Sequence, residues 1–214
     1  MRKLGIFAMI GALALVTAPS FAQDKMAPPP PPPTRIRAVV EKFDNGMATV
    51  KTEKGETATV AIGPKTNISG VDARKLSDIK ANDFIGITAI ADKDGSMHAT
   101  EVHIFPAQMR GAGEGHYPWD KGPKSSMTNA AVAGMVKSSD GEIFTMSYKD
   151  KMSNSAKEVK IDISPTIPIV AFVPGDQTLL KPGAHVVIFA RKNADGGYGA
   201  FAVVAEKDGV KPPM

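Results

Sequence analysis

An internal register restricts the fold of this chain more than any other feature of its sequence. A step of 101 residues takes Ile62 to Ile163, Pro64 to Pro165, Ile79 to Leu180, Ile85 to Val186, Ile87 to Ile188 and Ala89 to Ala190. The same step takes Asp94-Gly95 to Asp195-Gly196, Ala99 to Ala200 and Val102 to Val203. Apolar and turn positions that recur in one ungapped register predict one structural unit used twice. Upstream, the step that carries Gly46 to Gly141 is 95, so the second copy is expected to hold six extra residues, placed in 149–156.

Within the first copy, β-prone runs alternate with turn signals. Ile36-Arg37-Ala38-Val39-Val40 leads to Asp44-Asn45-Gly46, Met47 to Thr52 leads to Lys54-Gly55, and Thr57 to Ile62 follows. Asn-Gly and x-Gly supply the positive φ that tight hairpins need. Val71, Leu76 and Ile79, with Asp72 as a cap, predict a short helical segment over 71–80. Two more runs, 84–89 and 98–105, are separated by Asp92-Lys93-Asp94-Gly95. Three strands, a helical segment and two strands is the order of a five-stranded OB-like barrel. The expected fold is all-β: two tandem OB-like barrels over 35–106 and 127–207, joined by 107–126 and followed by a tail, 208–214. Twenty glycines, seventeen prolines and little aromatic content agree with a turn-rich β chain.

Ahead of the first module stand two segments with other tasks. Arg2 and Lys3, an apolar run from Leu4 to Val16, and Ser20-Phe21-Ala22 have the three-part build of a secretory signal peptide over 1–22, cleaved after Ala22. The apolar run falls short of the roughly 20 residues that span a bilayer. Residues 23–34 contain six consecutive prolines, Pro28 to Pro33, and predict a stiff polyproline II spacer. Its other reading is a ligand for a proline-recognition domain. An exported protein of the periplasm or the medium is expected, with no transmembrane span in the mature chain. Strands of about six residues and a shortage of aromatic residues argue against an outer-membrane barrel.

Composition narrows the chemistry. With no cysteine there is no disulfide, thiolate metal site or cysteine nucleophile. Loss of Arg2 and Lys3 leaves 24 basic against 22 acidic residues, a net charge of +2 without charge runs, which gives no support to nucleic-acid binding. His98 and His103 lie five apart in one strand, which puts them on opposite faces unless a bulge intervenes. No serine lies in a nucleophile elbow or an S-x-x-K pattern, so no catalytic residue is nominated.

The segment between the modules concentrates the side chains that carry chemistry. Residues 109–120 hold the only tryptophan, Trp119, with Tyr117, His116, Glu114, Asp120, Arg110 and three glycines. Trp119 and Tyr117 can form an apolar platform for a ligand, or Trp119 can anchor the segment in the groove between modules. His116, Glu114 and Asp120, joined by Met109 or Met127, are the candidate ligands of a copper or zinc ion. In the second module Phe144, Met146 and Tyr148 occupy the strand face through which OB-like barrels bind, where the first module has Ala48, Val50 and Thr52.

The signal peptide, the Pro-rich spacer, the doubled strand-rich unit, Gly113-Glu114-Gly115-His116, Pro118-Trp119-Asp120 and Met127-Thr128-Asn129-Ala130 together resemble a group of uncharacterised exported proteobacterial proteins. These fall in a β-barrel family of unknown function, and some carry the label metal ABC transporter permease. The resemblance covers essentially the mature chain and implies the β-barrel fold, but it supplies no active site. The permease label conflicts with a sequence that has no hydrophobic span after residue 22. The expected function is an exported, non-enzymatic binding or adaptor protein, without a cofactor, that captures an envelope protein or glycan. The alternatives are periplasmic metal handling by 107–126 and a hydrolase with its site at the module junction.

Overall fold

The computed structural model describes residues 33–193 and 196–213 and is all-β. Its strands are β1 (Thr34–Asp44), β2 (Met47–Thr52), β3 (Thr57–Ala61), β4 (Asn67–Ala73), β5 (Phe84–Ala91), β6 (Met97–Ile104) and β7 (Gly115–Pro118). They continue as β8 (Ser125–Lys137), β9 (Glu142–Lys149), β10 (Ala156–Ile163), β11 (Ile169–Pro174), β12 (His185–Lys192) and β13 (Tyr198–Ala205). The β1–β2 hairpin closes as its residues require. Asn45 and Gly46 both take positive φ, 47° and 76°, the backbone of a two-residue turn that matches strand twist.

Two closed rings of five strands follow from the pairings. In one, β1 pairs with β2 and β2 with β3. It is closed by β12 antiparallel to β1 and by β13 parallel to β3, with Val60 opposite Tyr198. In the other, β8, β9 and β10 are closed by β5 antiparallel to β8 and by β6 parallel to β10, with His98 opposite Asp162. Alternate residues fill each interior, as the two-residue strand period demands. Val40, Ala48, Val50, Val60, Ile188 and Val203 line the first, and Ile85, Ile87, Val102, Phe144, Met146 and Ile161 the second.

Each ring thus takes three strands from one half of the chain and two from the other. The expected tandem arrangement, each barrel closed from consecutive strands, is not what these pairings form. The reason lies in β4 and β11, which pair antiparallel with each other. Val71 stands opposite Phe172, its own partner under the 101-residue step, so this seam is equivalent to itself. β4 also runs parallel to β13, and β11 parallel to β6. Each seam strand carries the chain away from the ring it has just begun, and the hairpin that follows closes the other ring. Between the rings lies a third cluster, Val71, Val170, Phe172, Val187 and Val204. Packing is close beside it: a Cβ on Gly70 would lie 2.8 Å from Cδ of the Lys207 side chain, and one on Gly175 2.9 Å from the backbone N of Gly70.

The seam also explains the missing helical segment. Val71 and Asp72 belong to β4, and the helical pattern shrinks to a 3-10 turn at Leu76–Asp78, where Lys75 N donates to Asp78 Oδ2 at 2.9 Å. Pairing with β11 satisfies the backbone of 67–73 and overrides the local periodicity. The matching turn in the second half, Gln177–Leu179, is capped by Asp176. Segment 107–126 is not plain linker, since it contains β7 and the start of β8. In the tail 208–214, Val210 bridges to Lys207. The expected signal peptide and nearly all of the spacer lie outside the described residues. No helix among the described residues is long and apolar enough to cross a membrane.

Candidate functional site

The site is built on the outer face of the ring closed by β5 and β6. Because Ile85 and Ile87 point inward, Gly86 and Thr88 point outward. Two rows of side chains cross this face. His103, Gly86, Asn129 and Gly115 are opposite one another on β6, β5, β8 and β7, and Glu101, Thr88, Met127 and Tyr117 form the adjacent row. Gly86 leaves a depression: a Cβ there would lie 2.6 Å from Asn129 Oδ1 and 3.1 Å from Phe105 Cε2.

Above that floor is a cavity of about 660 Å³, within the range that holds small-molecule ligands. Its walls include Phe105, Phe172, Phe189, Phe201, Tyr117 and Trp119. A β-bulge brings Phe201 there. Phe189 pairs with Ala202 and Ala190 with Ala200, which leaves Phe201 unpaired and re-aimed, 38% exposed. The equivalent position in the first half, Thr100, is the extra residue of the β6 bulge.

Segment 105–120 forms one wall and is tied down on both sides. Asp120 accepts from Arg37 Nη2 at 2.8 Å, Arg37 Nη1 at 3.0 Å and Arg35 Nε at 3.2 Å, all from β1. The Arg37 hydrogen bonds hold its carboxyl at about 2, well below the usual carboxylate range. On the other side Arg110 donates to Asn82 O at 2.8 Å and Asn82 Oδ1 at 2.9 Å, and Lys149 N donates to Glu114 Oε1 at 2.9 Å. Asn129 Nδ2 reaches Tyr117 OH at 3.2 Å and Ala112 O at 3.3 Å. Trp119 lies against this clamp, with Arg35 Cζ 3.5 Å from its ring centroid.

The cavity retains polar atoms that nothing in the described chain satisfies. His103 Nε2, Asn129 Oδ1 and Trp119 Nε1 are buried without a hydrogen-bond partner, although all three side chains line the cavity. His103 is 1% exposed and stacks on Phe172 at 5.6 Å and 5°. Burial pushes its imidazole down to about 3, so the ring is neutral. Behind it Glu101 Oε1 accepts from Thr88 Oγ1 at 2.5 Å and stays 3.9 Å from His103 Nε2, too far for a hydrogen bond. Burial raises the Glu101 pKa. Buried polar atoms are almost always paired, so these three are exceptions, each an inaccessible atom of a side chain that lines the cavity.

Of the residues picked out by sequence, Trp119 and Tyr117 are in this wall. Phe144 and Met146 are not on a binding face. Both are 0% exposed inside the second ring, and their counterparts Ala48 and Val50 are equally buried in the first. Tyr148 packs partly against that core, its ring 6.2 Å from His116. The proposed metal ligands do not converge. His116 Nδ1 is hydrogen-bonded to Thr128 Oγ1 at 2.8 Å, Glu114 is held by Lys149 N and Asp120 by the two arginines. No group of three or more metal-ligating side chains is formed among the described residues. A buried carboxylate does stand near a histidine, Glu101 beside His103.

Sequence reasoning missed His103, Glu101, Thr88 and Asn129. Strand spacing alone sets His103 and His98 on opposite faces. The Thr100 bulge puts the two histidines on the same face, but His98 turns to Asp92 Oδ2 at 3.2 Å and Asp162 Oδ2 at 3.7 Å. A usable signal was in the register itself: the 101-residue step pairs Thr88 with Phe189, Glu101 with Ala202 and His103 with Val204. The copies agree where they build the rings and differ in polarity where they face the cavity. Comparison of the chain with protein-family models, curated proteins and solved structures finds no match.

Proposed function

We propose that this is an exported binding protein that takes up a small, largely apolar molecule in the cavity between the two rings. The observation that carries this reading is the aromatic cavity of about 660 Å³, whose lining also includes the polar side chains of His103, Asn129 and Trp119. Binding rather than catalysis is favoured because His103, the histidine that lines the cavity, makes no hydrogen bond to a hydroxyl or carboxylate among the described residues. The basic start, apolar run and Ser20-Phe21-Ala22 support export to the periplasm or beyond. The small-molecule ligand takes the place of the protein or glycan partner, since the strand face meant to capture it is barrel interior. The halves that exchange strands support an internally duplicated barrel as the scaffold, in which rigid sheets hold the cavity walls.

Trp119 makes the test direct, because it is the only tryptophan and lines the cavity. Titration of the purified protein with the neutral dye N-phenyl-1-naphthylamine is expected to give saturable, one-to-one binding with energy transfer from Trp119. Non-saturable or absent binding refutes the reading.

A further inference from the structure

The charge distribution around the cavity narrows the ligand class. Among the described residues, Arg35 is the only charged side chain on its walls, and no carboxylate is among them. Asp120, the acid nearest to Arg35, is taken by both Nη atoms of Arg37. Arg35 gives Asp120 only its Nε, and its two Nη groups make no hydrogen bond among the described residues. Arg35 stands opposite Phe189 in the β1–β12 pair, and Phe189 lies 6.3 Å from Phe201. Arg191, two residues beyond Phe189 and so on the same face, places its Cζ 4.9 Å from the Phe201 ring centroid. It makes no ion pair among the described residues. Two guanidinium groups therefore flank a phenyl pair at the cavity, Arg35 with Nη donors that make no hydrogen bond and Arg191 with no ion pair among the described residues.

We propose that the ligand is a flat, ring-bearing molecule with a single anionic head, its rings against the aromatic walls and its carboxylate, sulfonate or phosphate on Arg35 and Arg191. This inference rests on the reading of the cavity as a ligand site. Aromatic walls favour a flat ring over a flexible chain through offset and edge-to-face contacts. A guanidinium whose Nη donors are free suits a planar or tetrahedral oxyanion, which it can take with two parallel hydrogen bonds. A cationic ligand would meet Arg35 on a wall that holds no carboxylate among the described residues, Asp120 being bound by Arg37. A neutral one would leave the Arg35 Nη donors without an acceptor among the described residues.

The test uses two dyes of closely similar ring system, neutral N-phenyl-1-naphthylamine and the sulfonate 8-anilino-1-naphthalenesulfonate, titrated separately into the purified protein. The sulfonate is expected to bind about tenfold tighter, as one charge-assisted hydrogen-bond pair provides. Arg191→Gln, remote from the Asp120 clamp, is expected to remove most of that preference. Arg35→Gln is expected to do the same, while Arg35→Lys keeps part of it. Displacement of the sulfonate dye by 2-naphthoate but not by dodecanoate supports a ring-bearing anion. Displacement by dodecanoate alone overturns that part. Equal affinities for both dyes, unmoved by Arg191→Gln, overturn the anionic head and leave the cavity reading standing. Failure of both dyes to bind overturns the two together.

Discussion

His103→Leu separates stability from binding in this protein, and its sign can be worked out from the structure. His103 Nε2 is buried without a partner, with the nearest acceptor, Glu101 Oε1, 3.9 Å away. An unsatisfied buried polar atom costs about 1–3 kcal/mol. Leucine has nearly the same volume, so little cavity or overpacking penalty is added. What is lost is the parallel stack on Phe172, worth about 0.5–1.5 kcal/mol. The balance at neutral pH is a stabilisation of about 1 kcal/mol, or roughly 2–4 °C in Tm for a chain of this size. Acid amplifies it. The native imidazole is held at about 3 against 6.5 unfolded, so its contribution is complete above about pH 6.5 and is lost as pH falls toward 3. The leucine variant escapes this loss, so its advantage grows by up to about 1.4 kcal/mol per pH unit on acidification. Urea denaturation of both proteins at pH 7.5 and 5.5 measures the two differences. A variant less stable than wild type at pH 7.5, or one whose advantage does not grow at pH 5.5, shows that Nε2 is satisfied in the empty protein and refutes the argument. Dye binding is expected to weaken in the same variant.

Other substitutions probe the clamp, the floor and the cores. Asp120→Asn removes a carboxylate held at about 2, a difference of roughly 2.5 kcal/mol if the pair were dry. With 43% of that side chain exposed, solvent screening lowers the expected loss to about 1 kcal/mol, read by thermal melts together with a shift in Trp119 emission. Wild type and Asp120→Asn should converge as pH falls from about 4 toward 2, because the depressed carboxyl contributes only above that window. Gly86→Ala puts a methyl group against Asn129 Oδ1 and Phe105, so a loss of about 1–3 kcal/mol and weaker dye binding are expected, by melts and titration. Phe144→Ala should lose about 3–5 kcal/mol in urea, whereas Met152→Ala, at a position 98% exposed, should stay within about 0.5 kcal/mol.

Much of the fold was legible because hairpins and ring interiors are local. Asn45-Gly46 and Gly55 specify their turns by backbone conformation alone, and the two-residue alternation of Ile36, Ala38 and Val40 is visible in any window. The 101-residue step carries the bounds of β5 onto those of β12 and the bounds of β6 onto those of β13. What it could not show is which meander each hairpin closes, because that depends on the pairing of Val71 with Phe172 across half the chain. The same pairing converted an expected helix into a seam strand. Phe144 misled for a related reason: an aromatic residue on a strand has the same periodicity whether it faces a ligand or a filled barrel. At the site, Trp119 and Tyr117 stood out through composition, whereas His103 and Asn129 acquired their role from elements that meet only in the folded protein.

The divergence between the halves also bears on why the polar set is kept. Where one half has Thr88, Glu101 and His103, the other has Phe189, Ala202 and Val204, so an apolar solution for these three positions already exists in the chain. Burial raises the Glu101 pKa above its unfolded value, so whatever it contributes below about pH 4.5 is lost as pH rises through the native value. His103 is penalised on the acid side, and each group therefore withholds stability over part of the pH range. Strain of this kind persists where binding requires it. The double substitution Glu101→Ala with His103→Val copies the apolar half and should raise stability at neutral pH. Because the two side chains are neighbours, the gain should depart from the sum of the single effects by about 0.5 kcal/mol or more. Denaturation of the four proteins of that cycle decides the matter, with the sulfonate dye as the second readout. Greater stability with weakened dye binding identifies polar groups held in place for a ligand. Lower stability with dye binding intact would make them part of the scaffold, and the site would have to be sought elsewhere.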